Sequence, residues 1–175
     1  MIIVFTGDGK GKTTAALGQA VRFLGRGKKV LMIQFIKGPW RSGEDDFGEK
    51  FEISSADFAI KKMGKGFVGI LGDKLPREEH EKAAKEALQS FESELVSGRW
   101  DLIILDEVNV AVSLGLIRAG EVLEAVKKVP DKKFVILTGR GAPKEFIDVA
   151  HLVTEMREVK HPFNEGKIAE IAMEF

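Results

Sequence analysis

A doubly wound α/β fold, with a mostly parallel sheet and helices on both faces, follows from three observations. Four apolar runs lack polar alternation, helical stripes lie between them, and a glycine-rich loop joins the first run to the first stripe. The runs are Ile2 to Phe5, Val30 to Phe35, Leu102 to Leu105 and Phe134 to Leu137. Such runs suit strands buried on both faces, as in a parallel sheet. Leu17, Ala20, Val21 and Leu24 fall on one helical face after the glycine loop. Ala84, Ala87, Leu88, Phe91 and Leu95 do the same in the segment from Pro76 to Val96, and Val122, Leu123 and Val126 form a third stripe. Strands alternating with helices are the pattern of a doubly wound sheet.

Two stretches are less regular. Lys37 to Gly48 is rich in glycine and charge and reads as a loop. Met63 to Asp73 holds Gly64, Gly66, Gly69 and Gly72 among apolar residues, too many glycines for a core strand, and reads as a mobile loop over a site. His80, within Glu78-Glu79-His80-Glu81-Lys82, reads as part of a solvated helix face. No linker or repeat divides the chain, so 1–175 is expected to be a single nucleotide-binding α/β domain.

Composition removes several classes of function. The chain has 27 Lys+Arg against 27 Asp+Glu, which argues against a nucleic-acid binder working by bulk charge. It has no cysteine, which excludes disulfides, zinc-thiolate sites, iron–sulfur clusters and cysteine nucleophiles. No apolar run approaches the length of a bilayer span. Met1 to Phe5 lacks a basic leader and a small-residue cleavage site, so it reads as a first strand and the expected location is cytoplasmic.

The chemistry begins at Phe5-Thr6-Gly7-Asp8-Gly9-Lys10-Gly11-Lys12-Thr13-Thr14, between the first strand and the first helix. Glycines let successive backbone N–H groups point at phosphate oxygens, and the helix adds its positive end. Lys12 supplies a mobile point charge and Thr13 a hydroxyl for a magnesium ion. In this strand–loop–helix context the fold is expected to be P-loop NTPase-like, of the RecA-like kind. One feature departs from the usual spacing: the early glycine would fall at residue 6, which is Thr6, and the nearest is Gly7. The competing reading is a glycine turn entering a helix with incidental lysines.

Trp100-Asp101-Leu102-Ile103-Ile104-Leu105-Asp106-Glu107 is an apolar strand ending in two carboxylates. Functional groups of open α/β sheets gather at the C-terminal ends of strands, so Asp106 and Glu107 would meet the glycine loop there and hold magnesium directly or through water. An acidic helix N-terminus is the alternative.

The residues resemble a known family, the corrinoid adenosyltransferases (ATP:cob(I)alamin adenosyltransferases) of the CobA/BtuR/CobO type. The resemblance runs through Thr6 to Gly18, Gln34-Phe35-Ile36-Lys37-Gly38 and Leu105-Asp106-Glu107. It continues through Leu137-Thr138-Gly139-Arg140-Gly141-Ala142-Pro143, Val153-Thr154-Glu155-Met156 and Val159-Lys160-His161-Pro162-Phe163, covering nearly the whole chain. The family's glycine loop also lacks the early glycine.

The resemblance implies transfer of the 5′-deoxyadenosyl group of ATP to the cobalt of a reduced corrinoid, with the whole triphosphate as leaving group. It implies a nucleotide lying in the loop in the reverse sense to that of ordinary P-loop ATPases. Cobalt(I) is itself the nucleophile, so the protein must position the 5′ carbon and stabilise charge on the triphosphate. Lys10, Lys12 and the loop amides of Gly7, Asp8, Gly9, Gly11 and Thr14 would do the second task, with magnesium at Thr13, Glu107 and Asp106. Arg140 would lie near the nucleotide and Phe67 against the corrin. The resemblance also implies an external electron donor, such as a reduced flavoprotein, and a homodimer, and it places Lys160 and His161 near the site without fixing their roles.

Departures from the family are local. Best-known members carry Gly-Phe-Thr-Trp where this chain has Gly66-Phe67-Val68-Gly69, so Phe67 is kept and Gly69 replaces the tryptophan. Ala169 to Phe175 departs from the usual Ala-Gln-x-Gly-Ile-Glu-aromatic ending. Family members carry a segment before the first strand that in some covers the site; this chain starts on the strand, which leaves that closure open. These changes keep a second reading in play, a RecA-like P-loop ATPase or a regulatory ATP-binding module using the same site without corrinoid.

Overall fold

The apolar runs become strands because their side chains are covered on both faces of one sheet. The computed structural model describes residues 1–38, 40–70, 72–162 and 166. In chain order the elements are β1 (Ile2–Thr6), α1 (Lys12–Leu24), β2 (Val30–Gln34), α2 (Gly43–Lys50), β3 (Phe58–Lys62) and α3 (Arg77–Ser97). They continue with β4 (Leu102–Asp106), α4 (Val108–Ser113), α5 (Ala119–Val126), β5 (Phe134–Thr138), α6 (Lys144–Val149) and β6 (Leu152–Glu155). The six strands form one sheet in the order β3-β2-β4-β5-β1-β6, and each pairing is parallel.

All five residues of β2 and all five of β4 are buried, which explains their unbroken apolar sequences. Alternate side chains still serve different layers. Val30, Met32, Leu102 and Ile104 face the layer holding Ala16 and Ala20 of α1. Leu31, Ile33, Ile103 and Leu105 face the layer holding Ala84, Ala87 and Phe91 of α3. Both faces are thus covered, and all strand ends point to one edge.

Three elements depart from the sequence reading. The expected loop from Lys37 to Gly48 contains the start of α2, whose Asp45 carboxylate accepts the Ser42 N–H at 2.7 Å while Glu44, Asp45 and Asp46 fill its first turn. That capping pattern stabilises a helix start despite the glycines. β3 was hidden by Lys61 and Lys62, which end an edge strand and pair with the flanking helices: Lys61 donates to Glu94 of α3 at 2.7 Å and Lys62 to Asp45 of α2. β6, the other edge, is exposed along its whole length and carries no buried run to reveal it.

His80 corrects a fourth expectation. It is 3% exposed rather than solvated, with Nε2 3.0 Å from the Asp73 carboxylate. Among its described residues the Met63–Asp73 stretch lacks helix and strand after β3, but it is tied at both ends: Met63 and Gly64 donate N–H bonds to the Gln34 carbonyl, and Asp73 holds Gly69 and Leu75. Ala169–Phe175 and Phe163 lie outside the described residues.

Candidate active site at the carboxyl edge of the sheet

Strand register assembles the site. Gln34 of β2 sits beside Asp106 of β4, and Thr138 of β5 sits beside Phe5 of β1. Four strand ends therefore form one row. Asp106 is fully buried and its carboxylate accepts three hydrogen bonds: from Thr13 Oγ1 at 2.8 Å, Thr138 Oγ1 at 2.7 Å and Gln34 Nε2 at 3.3 Å. A buried carboxylate with several donors is held in place. Thr13, the second residue of α1, is thereby oriented by a group on β4 although β5 lies between β4 and β1.

Glu107 follows in a left-handed conformation, φ 61°. Such a backbone costs about 1–2 kcal/mol for a residue with a side chain. It persists because its N–H donates to Thr138 Oγ1 at 3.0 Å and α4 starts immediately after it. Burial, reinforced by the neighbouring Asp106 charge, pushes the Glu107 carboxyl up to about 7, against the pull of Lys12, Lys37 and Arg140.

The glycine loop divides into two functions. Its front half packs on protein. Gly9 N–H donates to the Met156 carbonyl at 2.7 Å, and Met156 N–H donates to the Thr6 carbonyl at 2.8 Å. A Cβ on Gly7 would stand 2.4 Å from the Met156 carbonyl oxygen, and one on Gly9 would stand 2.7 Å from the Arg157 backbone. Gly7 and Gly9 are therefore required by the chain leaving β6, and the Gly9 N–H is not turned toward a ligand. The back half, Lys10 to Thr14, lines a cavity of about 580 Å³. Lys37, Glu44 and Glu107 complete its polar part, while Leu17, Val21, Phe47 and Phe58 make an apolar wall.

Lys12 is not the mobile charge its sequence context suggests. It is 7% exposed and its ammonium donates to the carbonyls of Gly7 at 2.8 Å and Gly9 at 2.6 Å. Burial lowers its pKa, opposed chiefly by Glu107. The same contacts keep it at the loop's centre, where an anion would compete with the two carbonyls.

Thr6 explains the displaced glycine. It is the buried last residue of β1, and its hydroxyl accepts the Ala142 N–H at 3.1 Å. That bond ties the Thr138–Ala142 loop to the base of the glycine loop, and Arg140 donates from it to the Asp8 carbonyl at 3.2 Å. Asn109 braces the same junction, donating to the carbonyls of Gly139 at 3.1 Å and Phe5 at 3.4 Å.

The structure thus brings Lys10, Gly11, Lys12, Thr13, Thr14 and Glu107 onto one cavity, with Asp106 beneath and Arg140 against Asp8. Phe67 does not line that cavity. It stands 47% exposed on the neighbouring loop, its ring 5.9 Å from that of Trp40. Gln34, Thr138, Asn109, Lys37 and Glu44 had no assigned role in the sequence reading. The first two share a usable signal, a polar residue closing an apolar strand. Glu44 and Lys37 form an ion pair, and Glu44 also accepts from Gln34 at 3.4 Å, which links α2 to the Asp106 row. Burial opposes the Lys37 charge, but Asp106 and Glu44 outweigh it and raise its pKa.

Comparison with known proteins gives matches over the full length of the chain. The family profile described as ATP:corrinoid adenosyltransferase BtuR/CobO/CobP matches residues 1–175. A corrinoid adenosyltransferase of Escherichia coli (strain K12) is 39% identical over 175 residues, covering 100% of this chain and 85% of that protein. The corrinoid adenosyltransferase CobA of Salmonella typhimurium (strain LT2) is 35% identical over 179 residues, again covering 100% and 85%. Among solved structures, a KaiC-like protein of Pyrococcus horikoshii OT3 is similar at 18% identity, with 91% of this chain and 74% of that one covered and a TM-score of 0.47. The match from first residue to last means that this chain belongs to the ATP:corrinoid adenosyltransferase family BtuR/CobO/CobP.

Proposed function

We propose that the back half of the glycine loop, with the N-terminal end of α1, holds the triphosphate of ATP, and that Lys12, Lys10 and Arg140 stabilise the charge that grows on it. The reaction is that of the family: the 5′-deoxyadenosyl group of ATP moves to the cobalt(I) of a reduced corrinoid, and triphosphate leaves. Cobalt supplies the electron pair for the new cobalt–carbon bond, and the pair of the broken carbon–oxygen bond departs on the triphosphate. No side chain is needed as nucleophile or base, so the residues serve by position and charge. The single observation that carries the assignment is the cavity shared by Lys10 to Thr14 and Glu107, with Thr13 held by the buried Asp106 at 2.8 Å.

A magnesium ion fits the donor set. Thr13 and Glu107 line one cavity, and magnesium characteristically takes one or two carboxylates with phosphate oxygens and water. Thr13 and Glu107 would hold it, and Asp106, already engaged by three donors, would orient Thr13. When bound, the ion would neutralise charge on the leaving triphosphate. Phe67 would face the corrin.

An external electron donor such as a reduced flavoprotein, a homodimer and a cytoplasmic setting belong to the same reading and rest on the family resemblance. Among the described residues no helix is long and apolar enough to cross a membrane. A P-loop ATPase or a regulatory module without corrinoid chemistry is not favoured by the family match.

Incubation with ATP, magnesium and chemically reduced cobalamin tests the proposal. Adenosylcobalamin, followed by its visible spectrum, and triphosphate are expected in equal amounts. ADP and orthophosphate formed without corrinoid would overturn it.

A further inference from the structure

The loop that carries Phe67 is secured by a partly buried pair that the proposed chemistry does not use. At its start, the Gln34 carbonyl accepts N–H bonds from Met63 at 3.0 Å and Gly64 at 3.1 Å, and the Ile36 carbonyl accepts Gly66 N–H at 2.9 Å. At its end, Asp73 Oδ2 accepts Gly69 N–H at 2.8 Å and lies 3.0 Å from His80 Nε2, while Oδ1 accepts Leu75 N–H at 3.0 Å. The His80 side chain is 2% exposed and that of Asp73 9%. Two backbone N–H groups hold the Asp73 carboxyl below its usual range, so it accepts and His80 Nε2 donates. Between these anchors stand Phe67 and, against it, the 62% exposed Trp40.

Helix packing alone has no need of an imidazole near the start of α3, where a buried polar ring costs free energy unless it is bonded. The bond it makes leads through one carboxylate to the Gly69 amide, two residues from Phe67. We infer that His80 is a positioning residue: through Asp73 it fixes the backbone at Gly69, opposite the Gly66 anchor on Ile36, and so sets the Phe67 ring for the corrinoid. The inference rests on the reading of Phe67 as the corrin-facing residue.

The test uses the full chain and three variants, His80→Ala, His80→Gln and Phe67→Ala. Each is assayed for KM and kcat toward cob(I)alamin and toward ATP, for thermal stability, and for acrylamide quenching of tryptophan fluorescence. Quenching reports chiefly on Trp40, because the other tryptophan, Trp100, is buried. His80→Ala is expected to raise the cob(I)alamin KM about tenfold, the equivalent of one buried hydrogen bond. Its ATP KM should stay within about twofold, while the quenching constant of Trp40 changes. His80→Gln, which keeps a side-chain donor, should restore both.

An unchanged cob(I)alamin KM in His80→Ala alongside a raised one in Phe67→Ala would overturn the positioning role and leave the reading of Phe67 intact. If neither variant moves that KM while Trp40 quenching still responds to His80→Ala and recovers in His80→Gln, the anchor stands and the reading of Phe67 fails. Equal loss toward both substrates with a lowered Tm, unrescued by His80→Gln, would reduce His80 to a general structural role and overturn the inference.

Discussion

The corner of the site built by the ends of β1, β4 and β5 and the corner built by the loops after β2 and β3 are held by different means. In the first, buried side chains do the holding: Asp106 gathers Thr13, Gln34 and Thr138, and Lys12 grips the carbonyls of its own loop. In the second, two aromatic rings stand in solvent above a backbone tied at its ends. Fixed dipoles suit charge stabilisation, because they cost no reorganisation as charge develops. Exposed rings suit a large flat partner, because they add contact area without fixing a charge. On the proposed reading, the first corner would take the triphosphate and the second the corrinoid.

Lys12→Ala challenges the comparison hardest. Removing one preorganised donor is expected to lower kcat by about 10²–10³-fold. Steady-state adenosylcobalamin formation measures it, and near-normal turnover would remove the triphosphate from this corner. Gly7→Ala probes how tightly the same corner is packed. The added methyl meets the Met156 backbone at 2.4 Å on a φ of 94°, so stability should fall by about 1–3 kcal/mol in denaturant unfolding. A neutral Gly7→Ala would mean that the crossing of Met156 over the loop is loose. Phe67→Ala sharpens the other side. Its cob(I)alamin KM should rise about tenfold, with ATP affinity by calorimetry unchanged, since the ring is half exposed and away from the cavity. Equal losses for both substrates would merge the two corners into one.

How much of this was legible depends on the range of the interactions. The four apolar runs became β1, β2, β4 and β5, and the three stripes became α1, α3 and α5, because strand burial and helix amphipathicity leave local periodicities. The strand–loop–helix of Gly7 to Thr14 and the strand end at Asp106 were readable for the same reason. β6 left no signal because its four residues are exposed, and β3 was masked by lysines suited to an edge. The start of α2 was readable in principle from Ser42 and Asp45, but its glycines argued the other way.

His80 and Lys12 show where local reading stops. His80 sits among Glu78, Glu79, Glu81 and Lys82, whose charges hid that it extends the buried stripe of Ala84, Ala87 and Phe91 by one turn; Asp73, seven residues back, then partners its ring. Lys12 was placed correctly on the loop, but the Gly7 and Gly9 carbonyls it binds became available only through the fold of the loop itself. Gly7 and Gly9 themselves were read as openings for phosphate, while their lack of side chains answers to Met156 and Arg157, more than 140 positions away.

By itself, the sequence determined the fold class, the glycine loop, the strand-end carboxylates and the family, because these rest on residue type and short spacing. Tertiary structure alone decided which loop amides are already engaged, that Asp106 accepts from Thr13, Gln34 and Thr138, and that Asp73 and His80 secure the Phe67 loop. The physical reason is that a hydrogen bond or a close backbone approach depends on which strands lie side by side. In a parallel sheet ordered β3-β2-β4-β5-β1-β6, the neighbours of a strand are mostly remote in sequence.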